Sequence, residues 1–527
     1  MTRSQKTSKE TMTKQPNVIM IICDDLNNAI EGMGRVPCAP APHLQRLMRQ
    51  GVRFTNAHNN CPICLPSRNS LLSGLYAHTT GNYQLWDNWH QNPSLNEAVM
   101  MPQHFKEHGY NVYGVGKIHH EGQGKADWWT QYGPGPDYGP FPWDGIQPIA
   151  AIHPDLAWLI ECEFVSDYVQ RYEGRDHFVS KGQLAFPWEN SFAPLSNIPD
   201  CKPDPSRRIP GHKGWRTQTG MPFRYVNDGD RDRMPDEQSV DWAIDILEQA
   251  HDAPFFLGVG LIRPHTPLHV PQKYFDMFPP ESLQLPQQLN GDLDDCAQAL
   301  IDHCPYGFFR YGLVQQGGEA LWRKWIQAYL ACIAFVDEQV GRLLDALAAS
   351  AHDSNTIVIF TSDNGYHMGE KQYLFKDSLW EESSQIPLII RGPQVSHGEC
   401  KLPVSLIDLY PTLIDLCSLP SHPHKATHGQ PLGGHSLRSL LGNPTRDQWD
   451  GPQVALMSAK EMSGTHHSVR SVTHRYTLCT NGEEELYDHC NDPHEWHNLA
   501  RDPQHVNLKN QLRQQLNALL QPINQGD

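Results

Sequence analysis

Two apolar runs that end in acidic residues constrain this chain more than any other feature. "NVIMIICDD" closes on Asp24 and Asp25, and "NTIVIFTSDN" closes on Asp363 and Asn364. Each is far too short to span a membrane and too uniformly apolar for a strand with one wet face, which is the pattern of a parallel strand covered on both sides. Helical segments separate such runs. "APHLQRLMRQ", stopped by Gly51, precedes "VRFTNAH", and "PQHFKEHG" precedes "YNVYGVGK"; "SVDWAIDILEQA" precedes "PFFLGVGLI", and "LACIAFVDEQVGRLLDALAAS" precedes the second acidic run. Helices alternating with buried strands predict an α/β chain with a large, mostly parallel sheet. Ligands of such sheets bind beyond the carboxyl ends of the strands, where these acidic pairs are expected to meet solvent.

Three segments are expected: a disordered lead-in over 1–15, a large domain over 16–393 and a smaller α+β domain over 394–527. The lead-in, "MTRSQKTSKETMTKQ", is polar, and without an apolar core it offers no secretory signal as it stands. Past Pro393, "SLIDLYPTLIDLC" reads as one helix, "SVRSVTHRYTLCTNGEEELYD" as two strands joined by an Asn-Gly turn, and "NLKNQLRQQLNALLQPI" as a closing helix. Between Gln123 and Pro235 a Gly, Pro and Trp-rich stretch that includes "TQYGPGPDYGPFPWDG" lacks periodicity and reads as an insertion that shapes a substrate pocket.

Composition narrows the function. With 39% hydrophobic and 19% charged residues the chain is a folded globular one. A net charge of -17 excludes a nucleic-acid binder, because phosphates demand a broad basic face. An anionic substrate would need a locally basic pocket, and no apolar run is long enough for membrane anchoring. Thirteen cysteines, an odd number without a regular framework, read as free thiols.

Several clusters carry chemistry. In "NNCPICLPSRNSLLSGL", Cys61 and Cys64 are spaced as a redox pair, or as half of a zinc site whose other half is missing nearby. Asp24 and Asp25 repel unless a cation or donors hold them, and with Asp363 and Asn364 they form an oxygen-only set suited to Ca²⁺ or Mg²⁺. "GVGKIHHEG" places Lys117, His119 and His120 after a strand, and "GLIRPHTPLHVP" holds His265 in a proline-rich turn. Taken singly, each basic residue is most simply an exposed or salt-bridged side chain.

From Cys64 onward, "CLPSRNSLLSGL" resembles the sulfatase signature, in which the cysteine is oxidised to formylglycine. The resemblance runs nearly the whole length, through "GVGKIHHEG", "MPDEQSVDWAIDILEQA", "RPHTPLHVP" and "FTSDNGYHMGEK" to "EELYDHCNDPHEWHNLA", and is most similar to the iduronate-2-sulfatase-like branch. It implies an alkaline-phosphatase-like α/β sandwich with a smaller C-terminal α+β domain. The activity implied is removal of O-sulfate from a sulfated carbohydrate, with a 2-O-sulfated uronic acid as the candidate sugar. The resemblance further implies that Cys64 is converted to formylglycine by a maturation enzyme that reads the unfolded chain, with Cys61 incidental. An aldehyde hydrates to a geminal diol, so one hydroxyl attacks sulfur while the other remains to expel sulfate.

By the same resemblance Asp24, Asp25, Asp363, Asn364 and the modified Cys64 hold one calcium ion, or magnesium in its place. Arg68 reaches back to the diol, Lys117 and Lys376 bind sulfate, and His265 touches the bridging ester oxygen. His120, with His119 as the alternative, takes the proton that lets sulfate leave. Just beyond the signature helix, Trp86, Asp87, Trp89 and His90 are candidates for the sugar subsite. The partners expected are a sulfated sugar and the maturation enzyme, with no nucleic acid and no membrane. The family implies a periplasmic or secreted location, although no signal is visible in the lead-in. Two alternatives stand beside this reading: a phosphate or phosphonate monoester hydrolase of the same superfamily, and a non-catalytic sulfosugar-binding protein whose Cys64 is never matured.

Overall fold

The structure is a computed structural model that describes residues 15–521 apart from 144, 147–191, 204, 209, 425–428 and 462–463. Most of the expected lead-in, and the middle of the expected insertion, lie outside the described residues. The centre is a sheet of eight strands: β1 (Asn17–Asp24), β2 (Val52–Phe54), β3 (Asn111–Gly116), β4 (Gln131–Tyr132), β5 (Phe255–Pro264), β6 (Thr356–Ser362), β7 (Leu388–Arg391) and β8 (Gly398–Cys400). Their spatial order is β8-β2-β7-β6-β1-β5-β3-β4. Only β7 runs against its neighbours, and every other pairing is parallel.

Helices α1 (Pro42–Gln50), α2 (Cys64–Ser73), α3 (Met101–Glu107), α4 (Pro235–Leu247), α5 (Gly318–Ala349) and α6 (Leu409–Cys417) cover the two faces. That is why β1 is buried at every residue. Ile19, Ile21 and Cys23 join the core beneath α1, α4 and α5, whereas Val18, Met20 and Ile22 join the core beneath α2, α3 and α6. Gly51 ends α1 as expected, for a steric reason: its φ is -144°, and a Cβ there would lie 2.2 Å from the Ile390 carbonyl of β7.

A second, antiparallel sheet is made of β9 (Ala455–Glu461), β10 (Gly464–Arg470), β11 (His474–Leu478) and β12 (Glu484–Asp488). Helix α7 (Val506–Leu519) packs Leu512 and Leu516 against Leu456, Val469, Tyr476 and Leu486. The two strands expected over "SVRSVTHRYTLCTNGEEELYD" are three. Ser471 breaks the first, its N–H donating to the His474 carbonyl at 2.8 Å while its Oγ accepts from the N–H groups of Thr473 and His474. The one helix expected over "SLIDLYPTLIDLC" opens with a 3-10 turn at Leu406–Asp408 before α6.

The boundary expected at 393/394 falls inside the large sheet. Strand β8 pairs with β2, and Leu409, Leu413 and Cys417 of α6 pack in the same core as β1, so the second sheet begins only at Ala455. Among the described residues no helix is long and apolar enough to cross a membrane.

Candidate active site

The carboxyl ends of β1, β3, β5 and β6 meet the amino end of α2. Asp24, Asp25, Cys64, Arg68, Lys117, His119, His265, Asp363, Asn364 and Lys376 are each at most 1% exposed there. The strand ends therefore do not meet solvent, as the sequence suggested, but a sealed cluster of charges. Helix α2 starts at Cys64 after the extended Ile63, with no side chain capping its first turn, so its positive end faces the cluster.

Each cation has found a carboxylate. Lys117 Nζ donates to Asp24 Oδ2 at 2.5 Å, Lys376 Nζ to Asp25 Oδ1 at 2.7 Å, and Arg68 Nε to Asp363 Oδ2 at 2.8 Å. The basic groups expected at the diol and the sulfate, Arg68, Lys117 and Lys376, are thus balanced by three acids. Lys376 Nζ also lies 2.8 Å from Cys64 Sγ, and Cys64 Sγ lies 3.9 Å from Asp25 Oδ1. Burial alone would raise Asp24, but Lys117, His265, Arg68 and Lys376 hold its carboxyl well below the usual range. Asp363 goes the other way, pushed up to about 7 by burial against the pull of Arg68. Burial, helped by Asp24, drives the Cys64 thiol well above its ordinary value, which makes it a poor nucleophile as a thiol.

Arg68 is bound into the cluster by further contacts. Besides Asp363 it donates to the carbonyls of Lys117, Ile118 and Cys23, and so braces the loops after β1, β3 and β6. His119 is committed as well. Its Nε2 donates to Asn69 Oδ1 at 2.9 Å, Asn69 Nδ2 in turn donates to Asn82, and Glu121 N–H donates to His119 Nδ1 at 3.3 Å. Burial beside Arg68 holds the ring neutral, at about 3. The neighbouring His120 is half-buried.

The proposed sugar-facing group divides. Asp87 Oδ2 accepts from the N–H groups of Tyr83 and Gln84 and from Asn82 Nδ2, so it closes a turn. Trp89 is 2% exposed and packs on His119 and Trp128. Asp87 and Trp89 thus have structural partners of their own, while Trp86 and His90 are exposed. Cys61 lies buried with its thiol on the Tyr83 carbonyl, and the cysteines among the described residues are free.

The donor set fits a hard cation. Asp24, Asp25 and Asp363 each offer an oxygen, all within 4.8 Å of one another. Asp24 Oδ1 and Asn364 Oδ1 are buried without a hydrogen-bond partner among the described residues. Glu381, His489 and Glu495 form a second group at suitable spacing, but Arg470 and Arg475 already occupy its carboxylates. Sequence reasoning missed Ser67, whose Oγ donates to the Asp363 carbonyl at 2.5 Å, and Tyr329, whose hydroxyl donates to the Asp25 carbonyl at 2.6 Å. Ser67 lies within the quoted motif; Tyr329 sits in the middle of α5 with no local signal.

Comparison with known proteins agrees with this geometry. The sulfatase family model matches residues 16–138 and 160–419, and the model of the C-terminal region of N-sulphoglucosamine sulphohydrolase matches 369–522. A sulfatase of Formosa agariphila is 31% identical, over 94% of this chain and 85% of its own. Iduronate 2-sulfatase of Mus musculus is 26% identical, over 94% of this chain and 93% of its own. A solved structure in complex with its substrate D-glucosamine-2-N,6-O-disulfate shares the fold with a TM-score of 0.66 at 18% identity, covering 96% of this chain and 97% of its own. The chain belongs to the sulfatase family.

Proposed function

We propose that the protein removes O-sulfate from a sulfated carbohydrate at the Cys64 pocket, with a 2-O-sulfated uronic acid as the first sugar to test. One observation carries this reading. Lys376 Nζ is 2.8 Å from Cys64 Sγ and 2.7 Å from Asp25 Oδ1, so the nucleophile's position, an anion-binding cation and a metal-binding carboxylate share one point. The names of the iduronate 2-sulfatase relative and of the disulfated glucosamine complex point toward sulfated sugars. Cys64 is 1% exposed, which favours its conversion to formylglycine by a maturation enzyme before the chain folds. The compartment proposed is the periplasm or the exterior, where sulfated glycans are met.

A hydrated aldehyde at position 64 would supply the attacking oxygen, and calcium or magnesium held by Asp24, Asp25, Asp363 and Asn364 would supply Lewis acidity. The rest is the work of the chain. Lys117 and Lys376, which lie at the Asp24 and Asp25 carboxylates, would bind the sulfate oxygens, backed by the positive end of α2. Nδ1–H of His265 donates to the Thr266 carbonyl at 2.8 Å and Nε2 lies 3.7 Å from Asp25 Oδ2, so the ring, as an imidazolium, would donate from Nε2 to the ester oxygen. His120 is the residue proposed to take the proton that frees bound sulfate, His119 being held by Asn69 and by the Glu121 N–H. Matched sulfate and phosphate esters of one leaving group test the assignment. Faster turnover of the sulfate ester is expected; preference for the phosphate ester would make the protein a phosphomonoester hydrolase, and turnover of neither a binding protein.

A further inference from the structure

The buried cluster lies beneath a tyrosine. Tyr138, in "GPGPDYGPF", places its ring centroid 5.2 Å from Lys117 Nζ and 5.0 Å from the ring centroid of His265. Lys117 and His265 are fully buried, whereas Tyr138 is half-buried and so the outermost of the three.

Arg263 fixes this arrangement. Its guanidinium is 1% exposed, and among the described residues its hydrogen-bond partners are all backbone carbonyls. Nη2 donates to Tyr138 at 3.1 Å and Gly139 at 3.0 Å, Nε to His269 at 3.2 Å, and Nη1 approaches His265 at 3.5 Å. Asp236 accepts instead from the N–H groups of Ile262 and Arg263. A buried charge is costly unless well solvated by such dipoles. Here one charge ties the Tyr138 loop to the His265 loop, making Arg263 a positioning residue.

We infer that Tyr138 is the specificity-determining wall of the sulfate pocket, its ring meeting the sugar that carries the sulfate. A sulfate ester seated between Lys117 and His265 would project its leaving group past Tyr138, a half-buried side chain that lies against both. An aromatic ring offers an apolar face to the C–H groups of a pyranose and little to inorganic sulfate. The inference rests on the Cys64 pocket being the sulfatase site.

The test compares matured wild type with Tyr138→Phe, Tyr138→Leu and Tyr138→Ala. Two quantities are read: KM for a disaccharide bearing a 2-O-sulfated uronic acid, or for the sulfated disaccharide that wild type turns over best, and the inhibition constant of inorganic sulfate. The leucine and alanine variants are expected to raise KM about tenfold or more, with kcat and the sulfate inhibition constant within about threefold, while Tyr138→Phe stays near wild type. Tyr138→Leu keeps an apolar side chain, so the comparison survives if the alanine variant misfolds. An unmoved KM in the leucine variant would overturn the inference. So would a sulfate inhibition constant that rises in step with KM, since Tyr138 would then only seat Lys117. Wild type that releases sulfate from no ester would instead overturn the sulfatase reading, and the wall with it.

Discussion

Asp24 and Asn364 each bury an oxygen without a hydrogen-bond partner among the described residues, although Arg68 Nη2 approaches that of Asp24 at 3.5 Å, and folded chains rarely leave such atoms unsatisfied. A hard cation resolves both. Calcium added to chelator-treated protein is therefore expected to raise the melting temperature, and Asn364→Ala to weaken that response by about tenfold or more in calcium concentration. An identical titration in the variant would remove Asn364 from the ligand set. The acidic donors were legible in the sequence because two strands end on them. The roles of Arg68 and His119 were not, since the carbonyls and the Asn69 amide that engage them come from other elements. The turn that Asp87 closes and the packing of Trp89 on His119 were illegible for a related reason: their partners are set by the fold and not by the neighbouring letters.

Strands and helices of the large sheet were readable because burial on both faces leaves a uniform apolar run that little else produces. Turns were harder. The break at Ser471 depends on a hydroxyl accepting from backbone N–H groups two and three residues on, a weaker sequence signal than the Asn-Gly turn nearby. The short turn before α6 carries a pH-dependent element. Asp408 accepts from the N–H groups of Ser405 and His435, both at 2.8 Å, while burial pushes its carboxyl up to about 7. Unfolded, it titrates at about 4, so the folded chain binds the extra proton between these values. Its contribution to stability is full below about pH 4 and is lost as pH rises through 7, by at most about 1.4 kcal/mol per pH unit. Asp408→Asn should flatten that slope in denaturant titrations at pH 5 and pH 8. Parallel slopes in the two proteins would contradict the assignment.

At the scale of the molecule, the second sheet is fastened to the loop that carries Lys376. Arg475, fully buried, pairs with Glu381 and with Glu495 at 2.6 Å, and donates to the Leu379 carbonyl at 2.9 Å; Arg470 pairs with Glu381 at 3.2 Å. Removing one partner strands buried carboxylates, so Arg475→Met is expected to cost about 3–5 kcal/mol in denaturant unfolding. A loss below about 1 kcal/mol would mean the network does not join the sheets. The helix and strand patterns past Pro393 pointed to a second sheet but not to where it begins, because β8 and α6 belong to the first sheet's core. The central claim concerns position 64, and the most direct measurement is the mass of the Cys64 peptide across fractions of differing sulfatase activity. Activity should rise in proportion to the peptide that carries an aldehyde in place of the thiol. Full activity in a fraction where every copy keeps its thiol would contradict the account.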